Sequence, residues 1–481
     1  MIVPSSAALA EVRRIFAERQ ASGAAPNLAF GVLAGGGLVD GEDVDTAYRV
    51  ASCTKSFTAA ALLQLRDRGL IDLDAPITDW VPKLRLIPGD RVPTLRMLLT
   101  MSAGLANDDP WADRQEAMTD DELDATCAGG VRLMWEPGTA FEYSNLGYAL
   151  LGRVIQVAAG RPYHDVVTDE LLRPLGLTST AFTPPAGAAA VATGFERQGD
   201  EWVALPFSGP GAFSPLGGLF STVHDLCRWM QWFAGADNGG DGGDGGDGDR
   251  HRDDGSGGHD VDDPLSPASR REMCRGTQAR EAEGAADGVA TYGFGLVELR
   301  HPRHGTLVYH SGGYPGFSAH MRWHPGSGLG IVALENATYA GVSGPAAAAL
   351  DALLDATLAP PPIVPWPETL AAQDTVVALI RNGWDDRVAD ELFTTNVAED
   401  RSYERRRAQL AELREQTGAL GEVVEASSDT PANRAWTIRG ELAGLRVDIS
   451  LHPLDPPRVQ WLDVELQPHQ PDRPLAPPQP A

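Results

Sequence analysis

The chain has 481 residues, 43% of them hydrophobic and 22% charged, with a formal net charge of −27 and a pI near 4.7. So acidic a protein lacks the clustered Lys and Arg that sequence-independent binding to nucleic acid or anionic lipid requires. No apolar run approaches the roughly 20 residues that cross a bilayer, so the sequence predicts a protein that is not embedded in a membrane, large enough for one big domain and one small one.

The opening segment "VPSSAALAEVRRIFAERQ" reads as an amphipathic helix with Leu9, Val12, Ile15 and Phe16 on one side, without the basic start and apolar stretch of a signal peptide; the expectation is a cytoplasmic protein. "PNLAFGVLAGGGLVDGEDVDTAYRVAS" alternates apolar runs with Gly and Asp turns and predicts strands or a hairpin. From about Ser52 to Met230 the pattern is mainly helical, as in "SNLGYALLGRVIQVAAG", which stops at Gly160. Strand signals return in "TLVYHSGGYPGFSAHMRWHPGSGLGIVALENA", with a turn at 324–328, and the Ala-rich "PAAAALDALLDATLA" predicts a closing helix. Strands at both ends with helices between them describe one interleaved α/β unit over residues 1–358.

Residues 238–263, rich in Gly and Asp, lack the recurring apolar position of a calcium-binding β-roll and are expected to be a disordered loop. A Pro-rich linker is expected at 359–367, a small α+β domain at 368–466 with helices first and an antiparallel sheet after, and a disordered tail at 467–481. Cys53, Cys127, Cys227 and Cys274 are scattered, without CxxC or a Cys/His cluster at metal-ligand spacing; four free thiols and no metal or cofactor are expected.

Three short stretches carry candidate chemistry. In "SCTK", Ser52 and Lys55 stand at i and i+3 on one helix face, at an N-terminus whose dipole and burial both favour a neutral amine able to take the serine proton. Against this stands the reading of a capped helix with a solvated lysine. Cys53 lies about 100° around the helix from Ser52 and reads as a small buried residue. In "EYSN", Tyr143 is a candidate proton shuttle if an ammonium beside its phenol eases deprotonation, and Asn145 offers an amide to orient a substrate carbonyl or a neighbouring side chain; a core tyrosine beside a helix cap is the plain alternative. In "HSGG", Gly312 and Gly313 would weaken a strand unless something must approach its backbone closely, and the Gly313 N–H could join that of Ser52 as an oxyanion hole. A β-bulge with a solvent-facing His310 is the alternative.

S-x-x-K, Y-x-N and H-x-G in this order resemble the active site of the penicillin-recognising serine hydrolases, which include class C β-lactamases, D-alanyl-D-alanine carboxypeptidases, D-aminopeptidases and related esterases. "LRMLLTMSAGL", "LLRPLGLTST" and "SPLGGLFSTVHDLCRWM" look like family segments too, so the likeness spans about residues 10–355. It implies a β-lactamase/transpeptidase-like antiparallel sheet flanked by helices with an inserted helical region. By the same likeness Ser52 would be the acyl-accepting nucleophile, Lys55 its base and Tyr143 the general acid/base. Asn145 would orient substrate, His310 would stand in the third motif, and the Ser52 and Gly313 amides would hold the oxyanion. The C-terminal segment is similar to the cystatin-like domains sometimes appended to such hydrolases.

Two departures bear on substrate. Thr100-Met101-Ser102 lacks a histidine common in that loop, and the third motif begins with His310 rather than lysine. A neutral imidazole anchors a substrate carboxylate poorly, which shifts the expectation from β-lactams and D-Ala-D-Ala peptides toward esters or D-amino-acid amides and peptides. β-Lactamase or D-alanyl-D-alanine carboxypeptidase activity is the alternative within this class. Outside it stands a catalytically silent binding or sensor protein of the same fold. The expected partner is a small molecule or short peptide, and the sequence does not fix the oligomeric state.

Overall fold

In the computed structural model, residues 2–235, 263–280, 288–358 and 363–468 are described. The Gly/Asp stretch up to residue 262, the start of the linker at 359–362 and the tail from 469 lie outside them. The chain divides into two compact units, Met1–Ala359 and Pro360–Ala481.

The first unit is built on an eight-stranded sheet in which every neighbouring pair is antiparallel. Its strands run in the order Gln278–Arg280, Val289–Tyr292, Val297–His301, Gly305–Tyr314, Phe317–His324, Leu329–Glu335, Leu28–Ala34 and Gly37–Glu42. The N-terminal hairpin is thereby added to the edge of a C-terminal meander, and everything between Arg49 and Gln278 is inserted between them. The insert is dominated by helices, with short strand pairs and one hairpin at Phe195–Gln198 and Glu201–Ala204.

Side-chain alternation on Leu28–Ala34 shows how both sheet faces are covered. Phe30 stacks on Phe16 of the first helix, Ser6–Ala21, with ring centroids 4.4 Å apart. The next residue, Gly31, points the other way, where a Cβ would meet Val223 of the helix Val223–Ala234 at 2.4 Å. Adjacent residues of a strand face opposite sides, so Ser6–Ala21, with Ser343–Leu358 packed against it, covers one face. The helix Val223–Ala234 covers the other. The amphipathic reading of the first helix matches its burial, with Val12 and Phe16 in the core.

The second unit is α+β. Helices Pro367–Asn382, Asp386–Leu392, Thr395–Asp400 and Tyr403–Thr417 precede a four-stranded antiparallel sheet, Leu420–Ser427 to Val459–Gln467, in sequential order. Trp436, Ile438, Leu445 and Val447 of its central strands pack with Val376 and Ile380 of the first of these helices in a core of their own.

Candidate active site

Ser52 lies in a single 3₁₀ turn, Ala51–Cys53, that leads into the helix Thr54–Asp67. Ala51 has φ +49, a left-handed conformation that costs a non-glycine residue about 1–3 kcal/mol and that recurs where a nucleophile is held on a sharp turn. Two neighbouring backbones hold it there. Leu219 O accepts from Val50 N at 2.9 Å, and Gly312 lies so close that a Cβ would meet Val50 O at 2.5 Å and stand 3.2 Å from Ser52 N. Gly312 is therefore a glycine of close approach, bringing the strand Gly305–Tyr314 alongside the Ser52 amide. A Cβ on Gly313 would strike the Tyr339 ring at 2.4 Å.

Lys55 is fully buried, and its ammonium group has three acceptors: Ser52 Oγ at 2.9 Å, Asn145 Oδ1 at 2.6 Å and Leu216 O at 2.9 Å. Burial pulls its pKa down to about 8, against the opposing pull of Asp109, Asp113 and Asp108. The amide and peptide oxygens of Asn145 and Leu216 can only accept. A neutral amine has two N–H bonds and one lone pair, so once both N–H groups are given to those oxygens the lone pair faces the Ser52 hydroxyl.

Asn145 begins the helix Asn145–Ala159, and both ends of its amide are occupied within the protein: Oδ1 by Lys55 and Nδ2 by Asp109 Oδ1 at 2.5 Å. Asp108 accepts from the backbone N–H of Asn145 and Leu146 at 2.7 and 2.9 Å, tying the loop "NDDP" to the helix N-terminus. The loop that lacks the family histidine braces the same segment. Met101, at φ +57, accepts from Glu142 N through its carbonyl and from Ser144 N through its sulfur.

Tyr143 presents its phenol to Ser52, but Lys55 Nζ lies over the face of its ring, 4.9 Å from the centroid. Burial first, then Tyr292 and Asp109, push the phenol well above its ordinary pKa, while the Ser52 hydrogen bond and Arg280 pull weakly the other way. The expected easing of deprotonation by a neighbouring ammonium is thus reversed. A cation over the ring face interacts with the π cloud, and desolvation governs the phenol.

His310 is buried rather than solvent-facing. Its Nδ1 donates to Ser311 O at 2.6 Å, and its Nε2 shares a hydrogen bond with the Tyr292 hydroxyl at 3.1 Å. Cys53 is fully buried, its thiol directed at the His310 carbonyl, as its position on the helix predicted. All four cysteines are free.

The structure therefore brings together Ser52, Lys55, Tyr143, Asn145, His310, Gly312 and Gly313 from four separate elements. It adds Asp108, Asp109, the Leu216 carbonyl, Tyr292 and Tyr339, none of which the sequence reading singled out. Asp109 stood in plain view in "NDDP", but an acidic pair in a polar loop is an ordinary surface feature. Among the described residues, one group of metal-ligating type has its donor atoms within 4.8 Å of one another, namely His301, His304 and Asp351. His301 Nδ1 accepts from two backbone N–H groups and Arg303 reaches Asp351 at 3.8 Å, whereas His304 Nε2 and Asp351 Oδ1 are buried without a hydrogen-bond partner.

A serine and a fully buried lysine one helical turn apart, completed by a tyrosine, an asparagine and a glycine-bearing strand, define a serine-hydrolase type of site on an antiparallel sheet. The chain belongs to the beta-lactamase family, whose model matches residues 12–356. It is 29% identical over 211 residues to the D-alanyl-D-alanine-carboxypeptidase/endopeptidase AmpH of Escherichia coli (strain K12), a match covering 40% of this chain and 50% of that protein. It is 27% identical over 295 residues to Protein flp of Staphylococcus aureus (strain NCTC 8325 / PS 47), covering 60% and 53%. The matches thus span about half the length of these curated relatives. An octameric penicillin-binding protein homologue from Pyrococcus abyssi superposes with a TM-score of 0.58 at 20% identity, covering 93% of this chain and 91% of that one. A class C beta-lactamase superposes with a TM-score of 0.57 at 18% identity, covering 72% and 96%. Both likenesses establish the fold. No helix among the described residues is long and apolar enough to cross a membrane.

Proposed function

We propose that the protein is a serine hydrolase working through an acyl-enzyme on Ser52, with esters or D-amino-acid amides and peptides as substrates. The observation that carries this reading is the bonding of Lys55, whose two obligate acceptors leave its lone pair for the Ser52 proton. A lysine held only for structure has no need of a hydroxyl as its third partner.

In the proposed cycle Ser52 Oγ bonds to the substrate carbonyl carbon as its proton passes to Lys55. The oxyanion is held by the Ser52 and Gly313 N–H groups. Tyr143, neutral in the resting site, hands a proton to the departing alcohol or amine and is reprotonated from Lys55. Water then attacks the ester, its proton retracing the path, and the carboxylic acid leaves. Asn145, held by Asp109, positions Lys55 in this scheme. His310, whose two nitrogens face Ser311 O and Tyr292, stands where the third motif often has lysine, and an imidazole held by two neighbours is a poorer anchor for a carboxylate than a lysine ammonium, which favours substrates without a carboxylate at that end. We also read the C-terminal unit as a cystatin-like module, from its helices-first order and four-stranded antiparallel sheet, and a cytoplasmic setting as one suited to small soluble substrates.

A panel of p-nitrophenyl esters, D-alanine amides and a chromogenic cephalosporin tests this. An ester or amide is expected to show the highest kcat/KM, with a burst of p-nitrophenol from the ester. A cephalosporin turned over best would overturn the substrate assignment, and no turnover of any member would overturn the enzyme.

A further inference from the structure

No Cys/His cluster marks a metal site in the sequence, yet the fold sets an H-x-x-H turn against a D-x-x-x-D helix face. His301 ends the strand Val297–His301, and His304 closes the turn that leads into Gly305–Tyr314. Asp351 and Asp355, at i and i+4 of the helix Ser343–Leu358, share the helix face that meets this turn. Asp355 stands in the last turn of that helix, where the dipole is negative and a cation is favoured.

The side chain of His304 is 8% exposed, and its Nε2 and Asp351 Oδ1 are both buried without a hydrogen-bond partner. Buried polar atoms left unpaired cost free energy and call for a partner that the chain itself does not supply. Asp355 Oδ1 stands 3.2 Å from His304 Nε2, outside hydrogen-bonding geometry. Two ligands of a tetrahedral zinc ion, each about 2.0–2.1 Å from it, lie about 3.3 Å apart, so this pair already has the spacing of one edge of such a site. The donor atoms of His304 and Asp351 are within 4.8 Å of one another, and a small rotation of Asp351 closes the set. Arg303 takes the opposite oxygens, Asp355 Oδ2 at 2.5 Å and Asp351 Oδ2 at 3.8 Å, which leaves the two Oδ1 atoms for another cation. His301 has a different part. Its Nδ1 accepts from Arg303 N and His304 N, so the proton of the neutral ring lies on Nε2, directed at Asp351 Oδ2 3.7 Å away. Such a ring does not offer Nε2 to a metal, but it orients the carboxylate that does.

We propose that His304 Nε2, Asp351 Oδ1 and Asp355 Oδ1 bind a divalent transition-metal ion of the Zn²⁺ type, with water completing the tetrahedron, and that the ion fastens the hairpin turn to the helix Ser343–Leu358. Mixed imidazole and carboxylate donors suit Zn²⁺ better than Ca²⁺ or Mg²⁺, which take oxygen ligands. Arg303 and Arg322, whose charges also reach this cluster, offset the carboxylates, so the affinity is expected to be micromolar rather than nanomolar. The site shares no residue with the Ser52 site and does not depend on the acyl-enzyme reading.

The test takes the untagged full chain, stripped with EDTA, and titrates Zn²⁺ by calorimetry while the melting midpoint is followed. A micromolar binding event and a raised midpoint are expected, and Ca²⁺ should produce neither. His304→Gln and Asp355→Asn should each weaken that binding about 10- to 100-fold and remove the rise in midpoint at low micromolar Zn²⁺. Asp355 is 48% exposed, so its substitution carries little risk to folding. His224→Gln, at an exposed histidine elsewhere, should leave binding and midpoint shift as they are. Zn²⁺ affinity unaltered in both variants would show an adventitious ion only and overturn the site. No binding up to millimolar Zn²⁺, or Ca²⁺ bound as tightly as Zn²⁺, would overturn it too.

Discussion

Each unit of the molecule buries a cation with three acceptors, and the two are put to different uses. In the first, Lys55 is bonded to Ser52 Oγ, Asn145 Oδ1 and Leu216 O. In the second, Arg406 is bonded to the carbonyls of Arg401, Leu462 and Val397. Burial lowers the pKa of both. The partners differ: Arg406 donates to three peptide oxygens, a structural task, whereas one of the lysine's partners is a hydroxyl that can give up a proton. Burial of a charge is thus no signature of catalysis, and the chemistry of its acceptors is.

Removing the lysine should produce the largest effect. Lys55→Met, close in length and without the base, is expected to lower the rate of Ser52 acylation by about 10²- to 10⁴-fold, read as the pre-steady-state burst with an activated ester. A loss under tenfold would place Lys55 with Arg406 as a structural cation.

The pH profile sharpens the contrast. Lysine accepts a proton only when neutral, so kcat/KM for acylation should rise as pH passes through the Lys55 value of about 8 and level off above it. The Asp109 carboxylate raises that value. Asp109→Asn should therefore move the rising limb to lower pH, by about one pH unit, while Asn145→Ala, which leaves Lys55 an acceptor short, should lower the plateau. A limb that stays put in Asp109→Asn would separate Asp109 from the lysine.

The smallest expected effect on catalysis comes from the other cation. Arg406→Met removes hydrogen bonds to two buried carbonyls, Leu462 O and Val397 O, and a third to the exposed Arg401, and should destabilise the C-terminal unit by about 2–3 kcal/mol. Faster hydrogen exchange in the strand Val459–Gln467 would report this, with the Ser52 burst unchanged.

The parts of the site that the sequence made legible are local. Ser52 and Lys55 are three residues apart, Tyr143 and Asn145 two, and each pair reads off one helix face or one helix start. Gly312 and Gly313 announced a close approach, although that the approach is to the Ser52 backbone and the Tyr339 ring required the fold. What stayed hidden has physical reasons. The Leu216 carbonyl is a backbone atom that any residue supplies, so no side chain marks it. Asp109 acts through its position at the end of the Asn145 amide, a contact spanning 36 residues. The direction of the Tyr143 shift depends on desolvation and on where Nζ lies relative to the ring. In the fold, alternating and 3.6-residue patterns located the first helix and the main strands, but the addition of the Leu28–Ala34 hairpin to Leu329–Glu335 is long-range pairing. In "ERRRAQ", Arg406 is buried between exposed Arg405 and Arg407, a difference that three identical residues in a row cannot encode.

The central claim is that Ser52 carries the acyl group with Lys55 as its base. Intact-mass and peptide-mass measurement of the wild-type protein and of Ser52→Ala, each quenched during turnover of one p-nitrophenyl ester, tests it most directly. The account predicts one acyl increment on the peptide containing Ser52 in the wild type and none in Ser52→Ala. An adduct on another residue, or equal turnover by Ser52→Ala, would contradict it.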